Sequence, residues 1–79
     1  MDYQRVTERQ ALEMLKLWSV AGRDLSSLVK LQPANNRQLV ALLPGYLDNE
    51  WYQFGEAYSC YTEAFSSLGG LLDKMRLTS

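Results

Sequence analysis

Hydrophobic positions recur along this chain at helical spacing in two long stretches separated by a shorter one. In the first, Ala11, Met14, Leu15, Trp18, Ala21, Gly22, Leu25, Leu28 and Val29 follow the i, i+3, i+4, i+7 series of an amphipathic helix. The preceding "TERQ" fits a capping box, in which Thr7 accepts from the Gln10 amide and Gln10 reaches back to Thr7. Gly22 offers a stop, but Leu25, Leu28 and Val29 stay in phase with Ala11 and Leu15. The pattern therefore predicts one helix over about 8–31. Next, Pro33 and the Asn pair of "QPANNRQ" read as a connector, and the apolar run "NRQLVALL" before "PG" predicts a short helix over about 36–43.

The second long stretch is the more regular. With Trp51 at heptad position a, the a positions are Trp51, Tyr58, Phe65 and Leu72, and the d positions are Phe54, Tyr61, Leu68 and Met75. Eight large apolar or aromatic residues at 3-4 spacing predict a single helix over about 49–77, capped by Asp48 or Asn49, with Gly69-Gly70 as its weak point. That spacing favours a packed seam over a ligand box. Trp18 joins the seam from the first helix, and Tyr52 falls off it, at position b. The expected fold is thus an all-α, single-domain chain (1–79): a helical hairpin of two long amphipathic helices with a short helix between. Position g adds Ala57, Ala64 and Leu71, so the apolar faces are wider than two helices can cover. A homodimer completing a helical bundle is the economical cover.

The segment W-x2-F-G-x2-Y at Trp51, Phe54, Gly55 and Tyr58 is similar to the first helix of a tetratricopeptide repeat. The similarity spans eight residues. No turn residue follows Tyr58 within "SCYTEAF", and no second copy stands at a 34-residue period. The resemblance therefore implies no function for this chain.

Charge changes the picture where it is placed on helices. The net charge is −1, which argues against a dedicated nucleic-acid binder. Arg9, Lys16, Arg23 and Lys30 are seven residues apart and would form a basic stripe on the outward face of the first helix. Glu56 and Glu63, with Glu50 one turn earlier and Tyr52 beside them, would form an acidic, aromatic face on the last helix. Both are candidate partner-binding faces, and the basic stripe also reads as a solvated face, with Glu13 beside Arg9 and Lys16.

Composition excludes several chemistries. The chain has no histidine and one cysteine, so neither a Cys/His zinc site, an intrachain disulfide nor a His general base is available. Cys60 has no neighbour that would activate a thiolate. Glu56 and Glu63, at i and i+7 on an outward face, imply no catalytic pair, and Gly69-Gly70 follows no strand and is not a phosphate loop. The expectation is no catalytic, cofactor or metal residue. No run is long enough to span a membrane, and the polar start "MDYQRVTERQ" has no apolar core behind it; a reduced, cytoplasmic setting is the default. The expected function is a small non-enzymatic protein-binding protein: an adaptor, inhibitor or regulatory subunit of the kind found among phage and plasmid accessory proteins. Its expected partners are a second copy and an unidentified protein. The alternative is a nucleic-acid-associated regulator using the basic stripe.

Overall fold

The computed structural model describes residues 3–78; Met1, Asp2 and Ser79 lie outside them. The order of elements is β1 (Gln4–Val6), α1 (Glu8–Val20), α2 (Leu25–Leu28), β2 (Lys30–Asn35), β3 (Gln38–Pro44), β4 (Trp51–Tyr58) and α3 (Tyr61–Thr78). The strands form one mixed sheet in the order β1-β4-β3-β2, with β1 parallel to β4 and the other pairs antiparallel. Helices α1 and α3 pack against each other on one face, α3 over β3 and β4 and α1 over β4 and β1. This α+β fold overturns the expected all-α hairpin and its bundle. The helix expected over 36–43 is β3, the helix expected over 8–31 stops at Val20, and the helix expected over 49–77 divides into β4 and α3.

Each departure has a local cause. The capping box at Thr7 and Gln10 is present, with bonds of 2.9 and 3.2 Å, and starts α1 at Glu8. Its other end is set by Gly22, which takes φ +75°, a conformation that L side chains rarely adopt. Arg23 N–H then reaches the Trp18 carbonyl at 3.2 Å and Gly22 N–H reaches the Ser19 carbonyl at 3.0 Å. This is a Schellman stop. Leu25 and Leu28 kept the phase of the stripe only because a second short helix, capped by Asp24, follows the turn.

The run "LVALL" is apolar because β3 is an inner strand. Val40, Ala41, Leu42 and Leu43 are all buried, and a short unbroken apolar run carries no period that tells a buried strand from a helix. Ala41 and Leu43 join the helix-side core; by alternation Val40 and Leu42 face the other side of the sheet. On that side the Tyr3 hydroxyl donates to Gln32 Oε1 at 3.0 Å, tying the β1 edge to β2. Asn36 and Arg37 turn the β2–β3 hairpin, where the Asn35 side chain accepts from Arg37 N–H at 2.9 Å.

In β4, Phe54 pairs with Ala41 and Tyr58 with Leu39, so four residues on β4 span two on β3. The extra residues form a bulge at Gly55, whose φ is +74°. Phe54 and Tyr58, four apart, share the core face by alternation, and the bulge leaves Glu56 between them in solvent, so the apolar spacing of four imitates a helix. The strand ends at Ser59. Its hydroxyl and backbone N–H both donate to Glu63, at 2.8 and 3.2 Å, and brace the first turn of α3.

The core combines Ala11 and Leu15 of α1, Ala41 and Leu43 of β3, and Leu68, Leu71 and Met75 of α3. Leu15, Leu42, Leu43 and Leu71 are the largest fully buried side chains, each contributing about 1.5–3 kcal/mol by burial.

Candidate interaction surfaces

The expected basic stripe requires one helix through residue 30, and α1 ends ten residues earlier. Arg9 lies on α1, 3.8 Å from Glu13, and Lys16 is exposed further along it. Arg23 follows the Gly22 stop, and Lys30 opens β2. The fold brings Arg23 and Lys30 together for a different reason. They line one cleft of about 340 Å³ with Trp18 and Trp51.

The expected acidic, aromatic face is also dispersed. Glu50 closes the turn between β3 and β4, where its carbonyl accepts from Gly45 N–H at 2.8 Å. Tyr52 is half-buried on β4, and its hydroxyl donates to Asp48 Oδ2 at 2.6 Å. That bond, then slight desolvation and the charges of Asp48 and Glu50, raises the Tyr52 phenol above its ordinary value. Glu56 forms an ion pair with Arg5, tying β4 to β1. The Ser59 hydroxyl, and secondly its backbone N–H, hold the Glu63 carboxyl below the usual range.

The seam residues fall into three groups. Trp18 and Trp51 line the cleft. Phe54, Tyr58, Leu68 and Leu72 belong to the core or pack against it. The Tyr58 hydroxyl contacts the Phe54 carbonyl at 3.2 Å and Ser67 Oγ at 2.8 Å, so this half-buried phenol is satisfied across the bulge. Tyr61 and Phe65, by contrast, are 58% and 62% exposed. Their rings stack with centroids 6.1 Å apart and an interplanar angle of 26°.

This stacked pair borders a groove of about 490 Å³ between α3 and β2. Val29 and Leu31 line it from below and Gly69 and Leu72 from α3; no charged side chain lines it. The groove lies on the β2 side because the two helices pack mainly over β1, β4 and β3, with Leu31 of β2 reaching the core beneath them. Strand β2 is also a sheet edge, and its Pro33 lacks an N–H to offer a further strand. The groove therefore suits side-chain packing better than strand addition.

No family model matches the chain, and comparison with curated proteins and with solved structures gave no match.

Among the described residues, no group of three or more His, Cys, Asp or Glu side chains is placed to hold a metal ion. No helix among them is long and apolar enough to cross a membrane. Cys60 is a free, exposed thiol just before α3.

Proposed function

We propose that this protein is a non-enzymatic interaction module of the cytoplasm, an adaptor, inhibitor or regulatory subunit, that docks through the α3–β2 groove and self-associates there. The exposed Tyr61–Phe65 stack on an uncharged groove is the observation that carries this reading. Two large aromatic rings left in water are costly for a short chain unless something covers them.

A second copy fits the shape. The same flank of α3 carries a protruding aromatic pair in its first half and, at Gly69, a position where an added Cβ would meet nothing within 4 Å. Two α3 helices related by a two-fold axis would seat each aromatic pair over the other copy's Gly69 and Leu72, which is the self-complementary arrangement of an isologous interface. An uncharged lining sets up no repulsion between copies. Covering the exposed parts of Tyr61 and Phe65 removes roughly 240 Å² per copy. That is under half of the ~1,200 Å² total of a specific interface, so Val29, Leu31 and Leu72 must contribute and the expected dimer is weak.

Light scattering across micromolar concentrations tests this. A mass moving from 9.1 kDa toward twice that value supports it. Paired Tyr61→Ser and Phe65→Ser substitutions, both at exposed sites, are expected to hold the chain monomeric with its circular dichroism unchanged. A wild-type chain that stays monomeric to hundreds of micromolar would remove self-association. The nucleic-acid alternative relied on four cations along one helix. They now sit on separate elements, and the two that meet share their cleft with Asp48 and Glu50, which disfavours a polyanion.

A further inference from the structure

The cleft holding both tryptophans lies apart from the groove, where the end of α1, the start of β2 and the β3–β4 turn converge. Its aromatic floor is fixed. Trp18 Nε1 donates to the Pro44 carbonyl at 3.3 Å, and Tyr46 meets the Trp18 ring edge-on at 5.2 Å. Each cation rests on an indole: the Arg23 guanidinium is 5.1 Å from the Trp18 centroid, and Lys30 Nζ is 4.3 Å from that of Trp51.

Asp48 and Glu50 line the same cleft, yet no ion pair joins them to Arg23 or Lys30. Asp48 is turned away, one oxygen accepting from Tyr52 at 2.6 Å and the other from Glu50 N–H at 3.1 Å. The cleft thus carries separated positive and negative groups around an apolar floor. A polyanion would meet Asp48 and Glu50, and a polycation would meet Arg23 and Lys30. Only a ligand bearing both charges answers both sets.

The geometry points to a binding site for a small zwitterion of amino-acid type. Its anionic end meets Arg23 and Lys30, its ammonium end meets Glu50 with Asp48 behind it, and its flat or apolar body lies against the indoles. The volume of about 340 Å³ is in the range of small-molecule sites. This site is independent of the docking groove.

The chain's two tryptophans are both in the cleft, so their emission reports occupancy in the intact protein. Three probes share one ring: L-phenylalanine carries both charges, 3-phenylpropanoate the anion alone, and 2-phenylethylamine the cation alone. The expected result is saturable change with L-phenylalanine and binding about tenfold weaker for each single-charge probe, the scale of one lost charge-assisted bond. Arg23→Gln with Lys30→Gln is expected to weaken L-phenylalanine about tenfold and leave 2-phenylethylamine unaffected; Glu50→Gln is expected to do the converse with 3-phenylpropanoate. Should the double variant lose its circular dichroism, Lys30→Met keeps the stem over Trp51 and removes the charge alone. No saturable response to L-phenylalanine up to about 10 mM overturns the site. Equal affinity for 3-phenylpropanoate, or a charge variant that binds all three probes like wild type, overturns the zwitterion.

Discussion

Phe54 and Tyr58 on β4, and Tyr61 and Phe65 on α3, follow one another at steps of four, three and four. Along the sequence they are one stripe. In the molecule the first pair packs against the core and the second lies in solvent. The first pair faces inward because residues four apart on a strand share a face, while the Gly55 bulge leaves Glu56 between them in solvent. The second faces outward because α3 buries Ala64, Leu68, Leu71 and Met75 instead. Those residues include both expected d positions on α3 after Tyr61, but Ala64 and Leu71 are g positions, and Phe65 and Leu72 at a are displaced to the flank. Spacing marks a stripe; the neighbour decides which edge of it is covered.

The sharpest way to break this contrast is to truncate one ring from each pair. Phe54→Ala is expected to cost about 3 kcal/mol, at the low end for a Phe because Phe54 is half-buried. Phe65→Ala is expected to cost under about 1 kcal/mol in a monomer. Urea unfolding at low protein concentration measures both, and similar costs would mean that the two pairs do not differ as described.

Glycines sharpen the contrast at the next scale. At Gly55 an added Cβ would sit 2.4 Å from the Tyr58 hydroxyl, at φ +74°. Gly55→Ala is expected to destabilise by about 1–2 kcal/mol and to disturb the Tyr58–Ser67 contact. At Gly69 an added Cβ meets nothing. Gly69→Ala is expected to stabilise α3 by up to about 1 kcal/mol, while weakening any dimer that uses Gly69 as its recess. A Gly69→Ala chain that is both more stable and as strongly self-associated would keep the helix argument and remove the recess.

How much of this was legible in the sequence follows from the same residues. The start of α1 was readable, because Thr7 and Gln10 are a local signal with a local mechanism. So was the core stripe of Ala11 and Leu15. The end of α1 was misread because continued phase was weighed above Gly22, whose left-handed φ decides it. The strands were misread for two reasons. β3 is buried on both faces and shows no alternation. β4 carries a bulge that turns a period of two into an apparent period of four. Ser59 with Glu63 was the overlooked sign that a helix begins there, and aromatic enrichment around a glycine was the overlooked sign of a strand. The cleft was not legible at all: Trp18, Arg23, Lys30 and Trp51 come from separate elements, and only the sheet order brings them together.

The smallest expected effects separate the starts of β4 and α3 by pH. Ser59 holds the Glu63 carboxyl below its ordinary value through its hydroxyl and then its N–H. A lowered folded-state value stabilises the fold above the unfolded carboxylate range and loses that contribution as pH falls through the folded value. Tyr52 is displaced upward, chiefly by its bond to Asp48. Its contribution is complete below the unfolded phenol range and is lost as pH rises through the folded value. Thermal melts across pH should therefore show a small gap between wild type and Glu63→Gln at neutral pH that closes in acid. The gap between wild type and Tyr52→Phe should be full at neutral pH and close in alkali. Both groups are near the surface, so added salt should shrink the charge-dependent part of each gap. Gaps that ignore pH would mean that the two bonds act as neutral contacts, and that the two element starts, unlike their aromatic residues, are held in the same way.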